Sequence, residues 1–215
     1  CQVCKTRIAA IASNVPIGKA DNLTLSGFDN AKLEKIVDST GVRFRHLAKK
    51  GEECTSDFCL AAAERIVNEL KIDRRDIGVV IFVSQSGDFI LPASACILQN
   101  RLGLPESTLA FDVNLGCSGY PYGVFVGASL LQSVKCKYAL ILVGDTSSFF
   151  ASPGDQSTFF LFGDAGTASL LEYSEDDNPM QFSFGTDGSG AEKLIIRDGG
   201  YRHPFSMESI IPKDR

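Results

Sequence analysis

No apolar run in this 215-residue sequence is long enough to cross a membrane as a helix, and no signal peptide opens it as given. A membrane-spanning role is therefore not expected. Positive charge is not in excess either: 21 Lys and Arg stand against 26 Asp and Glu, a net charge of −5. That balance argues against non-specific nucleic-acid binding. Neither a strand–GxGxxG–helix pattern nor GxxxxGK[ST] is present, so a nucleotide-binding role has little support. Cys1-x-x-Cys4 has no second ligand pair, which leaves no zinc pattern, and it does not open a redox βαβ unit. The seven cysteines are odd in number and scattered through apolar patterns, as in a reduced cytoplasmic protein.

With 44% hydrophobic and 22% charged residues, the composition is that of an ordinary globular protein with a sizeable core. Residues 5–15 read as a first strand closed by Pro16, and 22–37 as a helix capped near Asp29 or Asn30. Thr55 or Ser56 can cap a helix reaching about Leu70. Ile77–Val83 and Tyr138–Gly144 are continuous apolar runs of strand length, expected to be buried on both faces. Pro92 suits the first turn of a helix ending near Leu102. The segments 159–162 and 166–173 read as a hairpin through Gly163-Asp164, while 181–184 and 193–197 are weaker strands. Strands alternating with helices predict an α/β fold with a largely parallel sheet. Arg43, Arg45, His46, Lys49 and Lys50 form a basic segment, read first as a solvated face and second as an anchor for a phosphate-bearing arm or an acidic carrier protein.

The chemistry centres on Leu109 to Tyr120. An apolar run ends at Asn114, Gly116 and Gly119 bracket Cys117, and an apolar segment at helical spacing follows over 119–133. That pattern predicts strand, tight turn and helix, with Cys117 at a helix N-terminus that favours a thiolate. The glycines would let a substrate carbonyl approach the backbone, and the free amides could stabilise an oxyanion. Such a cysteine taken alone is more often a small core hydrophobe. The helix carries Tyr120, Tyr122, Val124, Phe125, Val126, Leu130 and Leu131, and reads as buried on all sides.

Phe111-Asp112-Val113-Asn114-Leu115-Gly116-Cys117-Ser118-Gly119-Tyr120 resembles the nucleophile segment of the β-ketoacyl-acyl-carrier-protein synthase III family, which has the thiolase fold. Three further stretches are similar to that family in order and spacing: Thr40-Gly41-Val42-Arg43-Phe44-Arg45-His46, Leu91-Pro92-Ala93-Ser94-Ala95-Cys96, and Leu161-Phe162-Gly163-Asp164-Ala165-Gly166-Thr167-Ala168. The resemblance implies one α/β half of a five-layer αβαβα duplicate, with a mostly parallel mixed sheet and a buried nucleophile helix. It implies residues 1–173 as the half-domain carrying the nucleophile, and 174–215 as a polar loop, weak strands and tail leading towards a C-terminal half.

The family activity implied is acyl transfer to the Cys117 thiolate, then decarboxylative Claisen condensation with malonyl-carrier protein, in fatty acid or polyketide-type biosynthesis. Sulfur suits it, being both strong nucleophile and good leaving group. Thr40, Arg43, Gln85, Leu91 and Gln156 become candidate substrate-binding residues, with no metal and no cofactor beyond the thioester substrates. Acyl carrier protein and a second copy of the chain, or a complementing C-terminal half, are the partners implied. Strand 138–144 is the candidate dimer seam. The family's catalytic His and Asn match no residue here, since neither His46 nor His203 has their context. The 215 residues alone are therefore expected to be inactive. The sequence has no tryptophan, and Lys35, Ser39 and Gln156 stand where the family's coenzyme A grip is expected, so the coenzyme A handle is weakened; the donor, acyl-coenzyme A or acyl-carrier protein, would ride on a carrier protein or bind differently. Leu91 replaces an aromatic residue and would admit a longer or branched acyl group. Two alternatives remain open: a thiolase-fold acyltransferase without condensation, and an inactive partner subunit.

Overall fold

In the computed structural model, which describes residues 1–176 and 178–206, the apolar runs become the inner strands of one sheet. The chain order is β1 (Gln2–Val3), β2 (Thr6–Asn14), β3 (Lys19–Asp21), α1 (Asn30–Thr40), β4 (Phe44–His46), α2 (Thr55–Glu69), β5 (Ile77–Val83), α3 (Ser94–Arg101), β6 (Leu109–Val113), α4 (Gly119–Val134), β7 (Tyr138–Asp145), β8 (Ala165–Tyr173) and β9 (Met180–Gln181). The five-stranded sheet has the order β2-β8-β7-β5-β6. Strands β5, β6 and β7 are parallel, and β8 runs against both β7 and β2. A second, two-stranded sheet pairs β3 with β4.

Two side-chain layers cover the sheet, because alternate residues of a strand face opposite sides. Val80 and Phe82 of β5 and Leu140 and Leu142 of β7 pack with Cys59, Ala62, Ile66 and Leu98 of α2 and α3. Val79, Ile81, Val83, Ala139 and Ile141 pack with Val124, Ala128 and Leu131 of α4. Each buried Val, Leu, Ile or Phe side chain among them contributes roughly 1.5–3 kcal/mol.

Local chemistry sets the helix ends. Helix α1 stops where Gly41 turns left-handed at φ 72° and its amide donates to the Val37 carbonyl. At the start of α2, the Asp57 carboxylate accepts the Cys54 amide at 2.9 Å, so Cys54 rather than Thr55 or Ser56 is the cap. Helix α3 begins at Ser94, two residues after Pro92. The Asp112 carboxylate of β6 accepts the Ser94 and Ala95 amides at 2.8 and 2.7 Å and fixes that start.

Several expectations are corrected. Strand β7 lies between β5 and β8 with both edges paired, so it has no edge to offer a second copy; the free edges belong to β2 and β6. Residues 159–162 form a turn, not a strand, because Phe159 and Phe160 pack with Phe28, and β8 takes β2 and β7 as partners instead. Residues 193–197 form no strand; a 3-10 turn over Gly188–Lys193, started by Asp187, precedes them. Helix α4 buries one face only. Gly119, Gly123, Val124, Gly127, Ala128 and Leu131 are inside, while Pro121, Gln132 and Ser133 are exposed. Its hydroxyls are absorbed locally, Ser129 and Ser133 donating to carbonyls one turn back.

Two compact units result, Cys1–Phe182 and Ser183–Arg215. The first continues beyond Tyr173 because β9 pairs with β1 and the Phe182 amide donates to the Cys1 carbonyl. In the second, the 3-10 turn is followed by a tight bridge between Gly200 and His203.

Candidate active site

Strands β5, β6 and β7 deliver their C-terminal ends to one edge of the sheet, where open α/β folds place their ligand sites. The chain leaves β6 through Asn114 and Leu115, turns at Gly116, and enters α4 at Gly119. The Gly119 amide donates to the Gly116 carbonyl at 2.8 Å, closing the turn. Cys117 is exposed and sits immediately before Ser118, the N-cap of α4. Ser118 makes no side-chain cap, and the first turn of α4 carries no acidic residue. Of the backbone groups of that turn, the Gly119 amide is taken by the Gly116 carbonyl and Pro121 has no N–H, so what the sulfur meets is chiefly the positive end of the helix dipole.

Gly119 has a packing reason, whereas Gly116 meets only the flexible end of the exposed Gln85 side chain. A Cβ on Gly119 would lie 2.5 Å from Val83 Cγ1, and one on Gly116 would lie 2.5 Å from Gln85 Oε1. Helix α4 thus starts hard against β5, and the Gln85 amide rests on the residue before Cys117.

Asp145, at the end of β7, organises the neighbouring loop. Its carboxylate accepts the Ser84 and Ser86 hydroxyls at 3.0 and 2.9 Å and the Gln85 amide N–H at 2.7 Å. The Ser86 hydroxyl also accepts the Thr146 amide and bonds Thr55 at 2.8 Å. Further along, Asp88 accepts the Ser56 hydroxyl at 2.8 Å through Oδ2, while its buried Oδ1 has no partner among the described residues. Burial pushes the Asp88 carboxyl up from the usual range, and nearby Asp57 and Asp112 push the same way. Beyond it, Phe89, Ile90 and Leu91 are 65%, 78% and 77% exposed.

The basic segment is not a uniform solvated face. Arg45 is 4% exposed: Nε donates to Asn22 Oδ1 at 2.9 Å, Nη1 donates to the Phe162 carbonyl at 3.0 Å, and the guanidinium lies over the Phe159 ring. Burial lowers its pKa, opposed by Asp164. Asp164 is itself buried, accepting the Ala48 and Ser148 amides and the Ser148 hydroxyl. His46 places Nδ1 2.7 Å from the Pro16 carbonyl.

Of the sequence candidates, only Gln85 is brought against the Cys117 turn by a contact described above. Thr40 closes α1, with its hydroxyl on the Ile36 carbonyl. Arg43 pairs with Asp21 at 3.3 Å and covers Phe44. Leu91 is exposed on its loop; Gln156 is exposed in a turn, and Lys35 and Ser39 are exposed on α1. The sequence reading missed Asp145 and Asp112, although each is the one carboxylate within an apolar strand run. Among the described residues no group of three His, Cys, Asp or Glu could hold a metal ion, and no helix is long and apolar enough to cross a membrane.

Residues 111–188 match the family model described as 3-Oxoacyl-[acyl-carrier-protein (ACP)] synthase III. A β-ketoacyl-[acyl-carrier-protein] synthase III of Desulfitobacterium hafniense is 33% identical over 207 residues, covering 96% of this chain and 62% of its own. The crystal structure of a 3-oxoacyl-(acyl-carrier protein) synthase from Burkholderia xenovorans superposes with a TM-score of 0.91 at 40% identity, covering 97% of this chain and 60% of that one. A 2.1 Å structure of a 3-oxoacyl-(acyl-carrier-protein) synthase III gives 0.91 at 35% identity, with 98% and 63% covered. The chain therefore has the thiolase-like α/β fold of these proteins, and spans about three fifths of the length of the curated relatives it matches.

Proposed function

The chain belongs to the 3-oxoacyl-[acyl-carrier-protein] synthase III family, and from that premise we propose that it carries the nucleophile of a condensing acyltransferase. The observation that carries this reading is the exposed Cys117 at the uncapped start of α4, beyond the C-terminal ends of three parallel strands.

In the first half-reaction the Cys117 thiolate attacks the carbonyl carbon of an acyl thioester. The tetrahedral oxyanion collapses, the donor thiolate leaves, and an S-acyl enzyme remains. The start of α4 beside the sulfur, where the helix dipole favours negative charge, would stabilise the oxyanion. In the second half-reaction a malonyl group on acyl carrier protein loses carbon dioxide. Its α-carbon attacks the acyl carbonyl, and Cys117 leaves as thiolate. No residue of this chain matches the family's decarboxylation histidine and asparagine, so that step is assigned to no side chain here.

The donor we propose is carrier-borne, since Lys35, Ser39 and Gln156 stand where the resemblance would put the coenzyme A grip. A homodimer would form along the free edge of β6, beside the exposed loop Phe89–Ile90–Leu91. The free state of all seven cysteines supports a cytoplasmic setting.

The test is intact-mass measurement of the full-length protein after incubation with acyl-coenzyme A or acyl-carrier protein, followed by labelled malonyl-carrier protein. One acyl adduct on Cys117, lost in Cys117→Ala, and release of labelled carbon dioxide are expected. Adduct formation that survives Cys117→Ala would refute the assignment.

A further inference from the structure

The Gln85 amide is placed where it can read the acyl group. The Asp145 carboxylate holds the Gln85 backbone at 2.7 Å, and the side chain folds across Gly116, the residue before Cys117. A Cβ at 116 would stand 2.5 Å from Oε1, so the absence of a side chain there leaves the exposed glutamine room to lie over the turn. Its side chain makes no hydrogen bond among the described residues, so its donors and acceptor remain available. The residue is exposed, so the amide is open to a ligand approaching the Cys117 turn.

We propose that Gln85 is a specificity-determining residue that selects acyl groups bearing a hydroxyl or oxo substituent within the first few carbons of the thioester. This rests on the acyl-transfer reading of Cys117 and deepens it. The amide lies over the neighbour of Cys117, and consecutive Cα atoms are only about 3.8 Å apart, so its reach covers the start of the acyl chain. An amide offers both a donor and an acceptor, which suits a hydroxyl or a carbonyl. A plain hydrocarbon chain would cover the amide without pairing it, and an unpaired polar group disfavours that complex.

The experiment compares initial rates of Cys117 acylation in the full-length protein by butanoyl-pantetheine and 3-hydroxybutanoyl-pantetheine, read by peptide mass. The wild type should favour the hydroxy donor about tenfold, the size of one hydrogen bond left unmade. Gln85→Leu should move that ratio about tenfold towards butanoyl, and Gln85→Ser should reduce it less. Circular dichroism reports whether each variant folds, and the wild-type ratio decides by itself if none does. Equal wild-type rates, or a uniform loss with both donors in Gln85→Leu, would overturn the proposal and leave the acyl-transfer reading standing. Absence of acylation by either donor would overturn both.

Discussion

Replacing Gly119 by alanine would set a methyl group 2.5 Å from Val83 Cγ1 and 3.3 Å from Leu115 Cβ. Val83 cannot yield easily. It is 1% exposed, paired in register with Val113 and Val143 on either side, and β-branched, so its χ1 is stiff. Overpacking of this kind costs about 1–3 kcal/mol. Alanine returns at most about 1 kcal/mol of helix propensity, and less at the first helical position than in the interior. The net expectation is a loss of about 1–2 kcal/mol. At about 2–4 °C per kcal/mol for a domain of this size, that lowers Tm by roughly 2–8 °C. Val83→Ala removes the clashing methyls, so Gly119→Ala should cost almost nothing in its presence. The double-mutant cycle should then give a favourable coupling of about 1–2 kcal/mol. Urea denaturation of the four proteins provides the measurement. Additive effects, or a Gly119→Ala variant as stable as wild type, would refute the claim that close seating of α4 on β5 excludes a side chain at 119.

Asp145→Ala strands the Ser84 and Ser86 hydroxyls and the Gln85 amide, and should cost about 3 kcal/mol in urea, with Asp145→Asn losing less. For Asp88 the folded carboxyl titrates above its ordinary 3.8, chiefly through burial. Between those two values the native state holds a proton the unfolded state has lost, so stability falls as pH rises through that window and the penalty is complete above the folded value. Asp88→Asn should flatten this fall, and urea midpoints across pH 3.5–7 that descend as steeply in the variant would contradict it. Burial pushes the Cys59 thiol up to about 12, so native alkylation with iodoacetamide should spare Cys59 while labelling the exposed Cys1, Cys96 and Cys117. Peptide mass mapping showing early Cys59 labelling would mean that α2 opens locally.

The parts of the fold that were legible in the sequence are those whose reason is local. Ile77–Val83 is apolar throughout because both faces are covered, and its bounds in the structure are those of the run. The strand–turn–helix around Cys117 was legible for the same reason: glycines, a polar break and a helical apolar pattern lie within a dozen residues. What escaped depends on partners distant in the chain. Phe159 and Phe160 look like strand residues, yet they pack on Phe28. Arg45 looks like a surface charge, yet Asn22 and the Phe162 carbonyl hold it inside. The four family-like segments illustrate the same distinction. They meet in pairs: 40–46 with 161–168 through Arg45 and Asp164, and 91–96 with 111–120 through Asp112 on the Ser94 amide. The first junction runs through the buried Arg45 and Asp164, the second through the Asp112 carboxylate of an exposed residue. A charge accepting or donating several bonds in one place ties loops far apart in sequence to one geometry, which apolar packing alone specifies less sharply. These polar ties anchor the loops around the Cys117 turn, so changes at Asp112 or Asp145 should disturb acyl transfer by Cys117 without touching the sulfur.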